Sequence, residues 1–429
     1  MLCPGVCDPE RQSQLNGGES RMRKAVLLVL AACIGIVWPF GPRPALTHEL
    51  ISTTVLFDRE IVRILSRKCV GCHSENNLAF PLTTYEETRP WARAIQEEAL
   101  RRHMPPWRAV PGYSQFANDN GLTLREFAFI VSWVEGNGPK SAGQTVLLNV
   151  AETPKSPGDV AIKPDFERWQ LGEPDLQRQL ATHTIAPGQP DEIRRAVVDL
   201  GLASDRWVRA LEFKPGDRRV VRAAFFVLQE TGQWLGSWTP WHGVTTLPEG
   251  TAYRVPAGSH VVVELHYRGA GAQVDDRGTL GLYFADTPPA NRPSDLVLQA
   301  TGDVPANTTA QKFRAATTLP ADTYAVALRP DLFPGAQALE VAARRPDGGT
   351  QVLLFLKEPL QDWPTPYIFK EPVLLSKGTE LAVTSYYTNP DDKPRPGGVK
   401  VTVARLEKNG GPAVRGKATG GKALPRRSR

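Results

Sequence analysis

Sulfur is scarce in this 429-residue chain, which has five cysteines and three methionines. Cys3, Cys7 and Cys33 fall in the first 33 residues, leaving Cys69 and Cys72 for everything after them. A structural disulfide framework is therefore excluded for the long C-terminal part. No methionine follows Met104, and histidine is sparse at seven residues. The apolar run Ala25 to Trp38 has about fourteen residues, short of the roughly twenty that a membrane-spanning helix needs. Acidic residues are absent from Lys408 to Arg429, which carries seven Lys or Arg, so the net charge of +6 belongs to the tail and the body is near −1. This basic tail, residues 407–429, reads as a solvated end able to touch anionic lipid or a partner, and no nucleic-acid partner is expected.

Apolar residues make up 41% of the chain, enough for two or three domains with cores. The 37 Gly and 38 Pro, with short Val/Leu-rich runs, favour strands and turns over long helices. Near the start, Arg21, Arg23 and Lys24 precede the apolar run, and Pro39, Pro42 and the small Ala45 follow it. That order is the one of an export signal, assigned to residues 1–45, with Met22 as an alternative start. "LAAC" ending at Cys33 offers a lipoprotein reading, and an uncleaved anchor is a third. The expected location is exported: periplasmic, or membrane-associated and facing the periplasm of a bacterium.

The stretch "KCVGCHSEN" contains Cys69, Cys72 and the adjacent His73. Two thiols at this spacing can bond both vinyl groups of a haem, with the imidazole on the iron, so one covalently attached haem c is expected. A zinc site would need two more nearby Cys or His, and none follows before His103. A redox pair would not need His73, and it normally follows a strand, whereas "FDREIVRILSRK" is amphipathic. Met104 is the methionine left for the sixth iron position, 31 residues past His73 in "RRHMPPWRAVPG". Pro105 and Pro106 stop a helix there and present an extended loop. His103 is the rival ligand.

Around these ligands the pattern predicts helices near Asp58–Lys68, Tyr85–Arg102 and Thr123–Gly136. The last has Thr123 and Glu126 as a capping box and an apolar stripe of Phe127, Ile130, Val131 and Val134. Trp91 and Trp133 read as core residues beside the porphyrin. A small all-α domain over 52–140 follows, then a turn-rich linker over 141–179. Beyond it, runs such as "GSHVVVELHYRG" and "TELAVTSYYTN" alternate with period two between Gly, Pro and Asp, predicting two all-β sandwiches, 180–288 and 289–406.

"CVGCH" followed by "MPPW" and "VSWVEGNGP" resembles the class I-like cytochrome c domains of bacterial exported proteins. "LGEPDL", "SDRWVRALEFKPGDRRVV", "YRVPAGSHVVVELHYRG" and the stretch from "RRPDGGTQVLLFL" to "TSYYTNP" resemble bacterial relatives of the copper type II, ascorbate-dependent monooxygenases. That group holds the peptidylglycine alpha-hydroxylating and dopamine beta-monooxygenases, and the resemblance implies paired jelly rolls over residues 170–405. It also implies two coppers held by a His-His pair, a His in a "VHY" strand, a His-x-His pair and a Met. At these positions the chain has Arg222 and Ala223, then His266, then Arg329, Pro330 and Asp331, and no methionine follows Met104. His266 is the one residual copper-site position, copper is not expected, and a cation such as Arg222 opposes a second cation.

Other residues do not rebuild a site. His260 and His266 share a strand face but lie roughly 20 Å apart. His242 reads as a solvated loop residue, and His183 is the remaining histidine of this half. Trp234, Trp238 and Trp241 read equally as an aromatic binding wall or as packing between the sandwiches. No catalytic residue is assigned. The expectation is an electron-carrying mono-haem cytochrome whose ligand-depleted module serves docking or ligand binding, with a redox protein as partner and membrane association through either terminus. The alternative is a haem-fed copper monooxygenase, or an accessory subunit of one.

Overall fold

The computed structural model describes residues 53–141 and 165–407. Residues 1–45, expected as an export segment, most of the 141–179 linker and the basic tail lie outside the described residues. Among the described residues no helix is long and apolar enough to cross a membrane.

The N-terminal part is helical. A π-turn at Phe57–Ile61 runs into α1 (Val62–Lys68), and Phe57, Ile61, Val62, Ile64 and Leu65 turn inward together. The second expected helix is split. After the capping box of Thr84 and Glu87 come α2 (Tyr85–Thr88), a 3₁₀ turn (Arg89–Trp91) and α3 (Ala92–Leu100). Pro90 explains the break, since it has no N–H for the ladder. Thr123 and Glu126 form the expected capping box of α4 (Leu124–Glu135). Its inner face is Glu126, Ile130 and Trp133, so the stripe is rotated from the expected one: Phe127 and Val131 are only half-buried. Glu126 is drawn in because it caps the helix and pairs with Arg67 at 3.0 Å. The Phe57 and Asp58 amides donate to the Pro139 and Lys140 carbonyls, closing the segment's two ends on each other.

The described residues after 175 are β-rich. The first pair of sheets uses β1 (Leu176–Gln179), β3 (Glu192–Asp199), β4 (Arg206–Lys214), β5 (Val221–Leu228), β6 (Trp234–Trp238), β7 (Val244–Thr246), β8 (Tyr253–Val255), β9 (His260–Tyr267) and β11 (Thr279–Phe284). One sheet runs β1-β11-β4-β7 with β8 on β4, and the other runs β3-β9-β5-β6. The short β2 (His183–Ile185) and β10 (Val274–Asp276) form a separate ribbon. Strand β9 shows why the sheets face one another: Val261, Val263, Leu265 and Tyr267 are buried, while Val262, Glu264 and His266 point the other way. The inward set joins Leu211, Phe213, Val221, Phe226 and Leu280 in one core.

The second pair uses β12 (Pro293–Val304), β13 (Thr308–Thr318), β14 (Thr323–Asp331), β15 (Ala336–Arg344), β16 (Thr350–Lys357), β17 (Tyr367–Leu375), β18 (Glu380–Asn389) and β19 (Arg395–Glu407). The sheets are β12-β19-β14-β17 and β13-β18-β15-β16, all antiparallel, around a core of Leu328, Val341, Leu354, Val383 and Val401. Three members of that core come from the helical part: Trp107, Ala109 and Phe116. Residues 107–118 lie along the second sheet pair, with Val110 N–H to the Phe355 carbonyl at 2.8 Å, Ala117 N–H to Ile368 at 2.7 Å and Asn118 Nδ2 to Pro366 at 2.7 Å.

The two sheet pairs meet through β6, β14 and β19, where Trp234, Val326, Ala327, Ala404 and Leu406 form a small cluster. Asp295 of β12 closes this junction by accepting the Trp234 amide at 2.6 Å. Burial pushes its carboxyl up to about 6 from a usual 3.8. A raised carboxyl costs stability when ionised in the fold, so the cost develops between pH 3.8 and 6 and is complete above. Asp295→Asn, which keeps an acceptor, is expected to stabilise the protein by about 1–2 kcal/mol at pH 7.5, with the gain vanishing below pH 4. Denaturant midpoints at the two pH values check this; a loss at pH 7.5 would show that the charged hydrogen bond outweighs burial.

Candidate functional site

Helix α1 ends at Lys68, and the chain then folds into a tight turn. The Cys72 and His73 amides both donate to the Cys69 carbonyl, at 3.0 and 2.9 Å. Cys69, Cys72 and His73 are thereby brought together on one turn. The His73 Nδ1 lies 3.0 Å from the Phe80 carbonyl, which can only accept, so Nδ1 carries the proton and Nε2 keeps its lone pair. Burial lowers the His73 pKa against that bond and keeps the ring neutral. An imidazole fixed through Nδ1 with Nε2 free is the arrangement used to bind a metal. Both cysteines are free thiols. Desolvation pushes each up to about 12, opposed by Lys68 at Cys69 and by Arg218 at Cys72. They are protonated at neutral pH, unlike the acidic thiols of disulfide exchange.

Phe80 packs edge-on to His73 at 5.0 Å and stacks on Trp91 at 4.4 Å. Phe80, Trp91, Leu100 and Met104 are 39–57% exposed, large apolar side chains gathered in one short stretch of chain. Trp133, in contrast, is buried against Phe57, so of the two tryptophans only it is a core residue. Met104 sits beyond the end of α3, its amide reaching the Glu98 carbonyl at 3.3 Å. His103, the rival ligand, has its Nδ1 3.2 Å from the Glu98 carboxylate. The turn itself holds two thiols and a neutral imidazole, the donor types of a covalent haem attachment, while the Met104 thioether lies on the loop after α3.

This turn is seated on the first sheet pair. Gly71 lies against the loop after β6, where an added Cβ would stand 2.7 Å from the Pro240 carbonyl oxygen. Arg218 Nη2 donates to the Gly71 carbonyl at 3.0 Å, and Arg268 donates to the Leu78 carbonyl. The three clustered tryptophans divide: Trp238 belongs to the first core, Trp234 to the junction, and Trp241 is half-buried, its ring 6.1 Å from that of Trp363.

A cleft of about 490 Å³ lies between the sheet pairs, and it gathers the positions singled out for copper: Arg222, His266, Arg329, Pro330 and Asp331. Ala223 is directly opposite His266 across β5 and β9, next to a bulge. Charge fills the cleft. Glu264 accepts from Arg195 at 2.8 Å and from Arg329 at 2.9 Å, with His266 Nε2 at 3.3 Å. Arg329 also lies over the Phe225 ring at 4.2 Å, Arg222 pairs with Asp191 at 2.5 Å, and Lys400 pairs with Asp331 at 2.6 Å. Among the described residues no group of three or more His, Cys, Asp or Glu is placed to hold a metal ion. His260 and His266 do not converge: His260 contacts Glu230 at 3.1 Å. His183 is engaged by Glu192 and by Arg194 at 2.8 Å. His242 is half-buried rather than solvated, and desolvation lowers its pKa.

No family model and no curated protein matches the chain. Among solved structures, the major capsid protein P2 of bacteriophage PM2 aligns over 54% of this chain and 97% of its own at 12% identity, with a TM-score of 0.27. PNGase F, a glycosylasparaginase from Flavobacterium meningosepticum, aligns over 54% and 96% at 10% identity, with a TM-score of 0.27. Allantoicase aligns over 49% and 77% at 14% identity and 0.19. At these scores none bears on function.

The Glu264 hub generates a pH signature. Its hydrogen bond with His266, then Arg195 and the charge of Arg329, outweigh desolvation and hold the carboxyl down at about 2 against a usual 4.5. Stability from a depressed carboxyl is present above pH 4.5 and is lost as pH falls toward 2. Glu264→Gln is expected to cost about 2–3 kcal/mol at pH 7, and the gap to the parent protein should close on acidification through that window. Thermal midpoints from pH 7 to 2 check it; a constant gap would remove the ionised carboxylate from the account.

Proposed function

We propose that the protein is an exported mono-haem c-type cytochrome, with an all-α domain over 52–140 and two jelly rolls over 180–288 and 289–406. The carrying observation is the turn that joins Cys69, Cys72 and a neutral His73 whose Nδ1 proton is committed to the Phe80 carbonyl. Bound haem supplies reversible one-electron chemistry. The chain's residues do the rest: Cys69 and Cys72 tether the ring, His73 offers Nε2 to the iron, and Met104 is the sixth ligand, which raises the reduction potential. His103, held by Glu98 through Nδ1, remains the rival ligand. Exposed Phe80, Trp91 and Leu100 mark the face that a redox partner protein approaches.

The β-rich module is read as a ligand-depleted relative of the copper monooxygenases, used for docking or ligand binding in the cleft around His266. Guanidinium groups stand at two of the positions where that family places imidazoles, and the one imidazole there is engaged by Glu264. One contact favours a second reading, a haem-fed copper monooxygenase whose electrons pass inward. Trp241, beside the attachment turn, faces Trp363, whose neighbours Asp362 and Pro364 line the cleft.

Protein matured with haem is expected to carry one iron and no copper by elemental analysis, with an alkaline pyridine spectrum of covalent haem. His73→Ala should abolish stable haem ligation. Met104→Ala should lose the low-spin methionine spectrum and lower the potential, and His266→Ala should leave the haem spectrum untouched. Stoichiometric copper would overturn the reading of the sheet module, an absence of covalent haem would overturn the cytochrome, and an unchanged Met104→Ala spectrum would transfer the ligand role to His103.

A further inference from the structure

Arg218 stands in the turn between β4 and β5, 147 residues from the Gly71 carbonyl that it binds. The same Nη2 also reaches the Pro240 carbonyl at 3.3 Å, so one guanidinium clamps the Cys69–His73 turn to the loop after β6. Its flat faces are covered: the guanidinium carbon lies 3.7 Å from the Phe166 ring centroid and 5.2 Å from that of Trp238. Its Nε is buried and has no hydrogen-bond partner among the described residues. No carboxylate there hydrogen-bonds to it either. Asp217, its neighbour, is committed to Arg219, and Glu167 acts only through space. Burial lowers its pKa to about 10, which leaves it charged at neutral pH.

A buried cation without a counter-ion acts at longer range than a solvated one, because little water screens it. Arg218 sits one residue from Cys72, since the carbonyl that its Nη2 binds at 3.0 Å is that of Gly71. We infer that Arg218 is a positioning residue of the attachment turn that also sets one desolvated positive charge beside Cys72, raising the reduction potential of the haem tethered there. This rests on the cytochrome reading. The physical step is simple: ferric haem carries one positive charge more than ferrous haem, so a fixed cation disfavours the oxidised form. Arg268, which donates to the Leu78 carbonyl of the same segment, is exposed, so water screens its charge.

The test is potentiometry on the full chain matured with haem. Arg218→Met keeps the stem and removes the charge; the ferric-to-ferrous ratio at fixed poise should rise about tenfold, a fall of about 59 mV for a one-electron couple. The absorption bands should stay in place, Arg218→Lys should recover at least half of the shift, and Arg268→Gln should move the ratio less than threefold. An unchanged ratio in Arg218→Met, or equal losses in the Met and Lys variants, overturns the inference. Should Arg218→Met fail to retain haem, Phe166→Leu hydrates the guanidinium and should shift the ratio the same way by a smaller factor, and no shift there overturns it too. Parent protein without covalent haem would sink the cytochrome reading itself, whereas haem whose potential ignores residue 218 sinks this inference alone.

Discussion

A helical segment of fewer than ninety residues has too little interior to bury its own apolar surface, and that shortage organises the molecule. The segment's own core is ten residues centred on Phe57, Leu65 and Trp133. Trp107, Ala109 and Phe116 therefore leave it and join the core of the second sheet pair, where they meet Tyr367 and Phe369 at ring distances of 5.0–5.4 Å. The Cys69–His73 turn is meanwhile pinned to the first sheet pair by Gly71 and Arg218. One small element is thus bound to both sheet pairs, and the loop that carries Met104 is anchored from Trp107 onward.

The junction between the sheet pairs follows another rule. Strand β9 sends Val261, Val263 and Leu265 inward and so must send Glu264 and His266 outward, toward β14. Arg329 meets them there and covers Phe225, so the outer face of β5 and β9 is closed by charge and ring together. Burying one ion costs much desolvation energy, but a carboxylate shared by two guanidinium groups and an imidazole recovers it through several charge-assisted bonds. The cleft is polar for that reason, and the few apolar contacts of the junction gather around Trp234.

Local signals were legible in the sequence wherever a short-range rule governed the outcome. The Thr123–Glu126 capping box and the alternation of "HVVVELHY" are set by near neighbours, and both stand in the structure as written. Pro90 was equally readable as a helix breaker, although one helix near Tyr85–Arg102 was expected there. What could not be read was decided by distant partners. Nothing near "WRAVPGYSQF" announces that it lies along Phe355 and Ile368, since the signal is in strands some 250 residues later. Arg218 likewise looks like one of many turn arginines until Gly71 and Pro240 are placed beside it. The convergence of Arg222, His266 and Arg329 on one cleft needed both sheet pairs to be docked, although the substitutions themselves were visible one by one.

The tight seat of Gly71 against Pro240 also imposes an order of events in time. Thioether formation needs open access to Cys69 and Cys72, yet in the finished fold the residue between them abuts Pro240, and Arg218 bridges across. During synthesis the turn emerges well over a hundred residues before that cover exists. For a protein that carries haem here, this interval is a window for attachment, and the docking of Arg218 and of the loop after β6 on the turn narrows it.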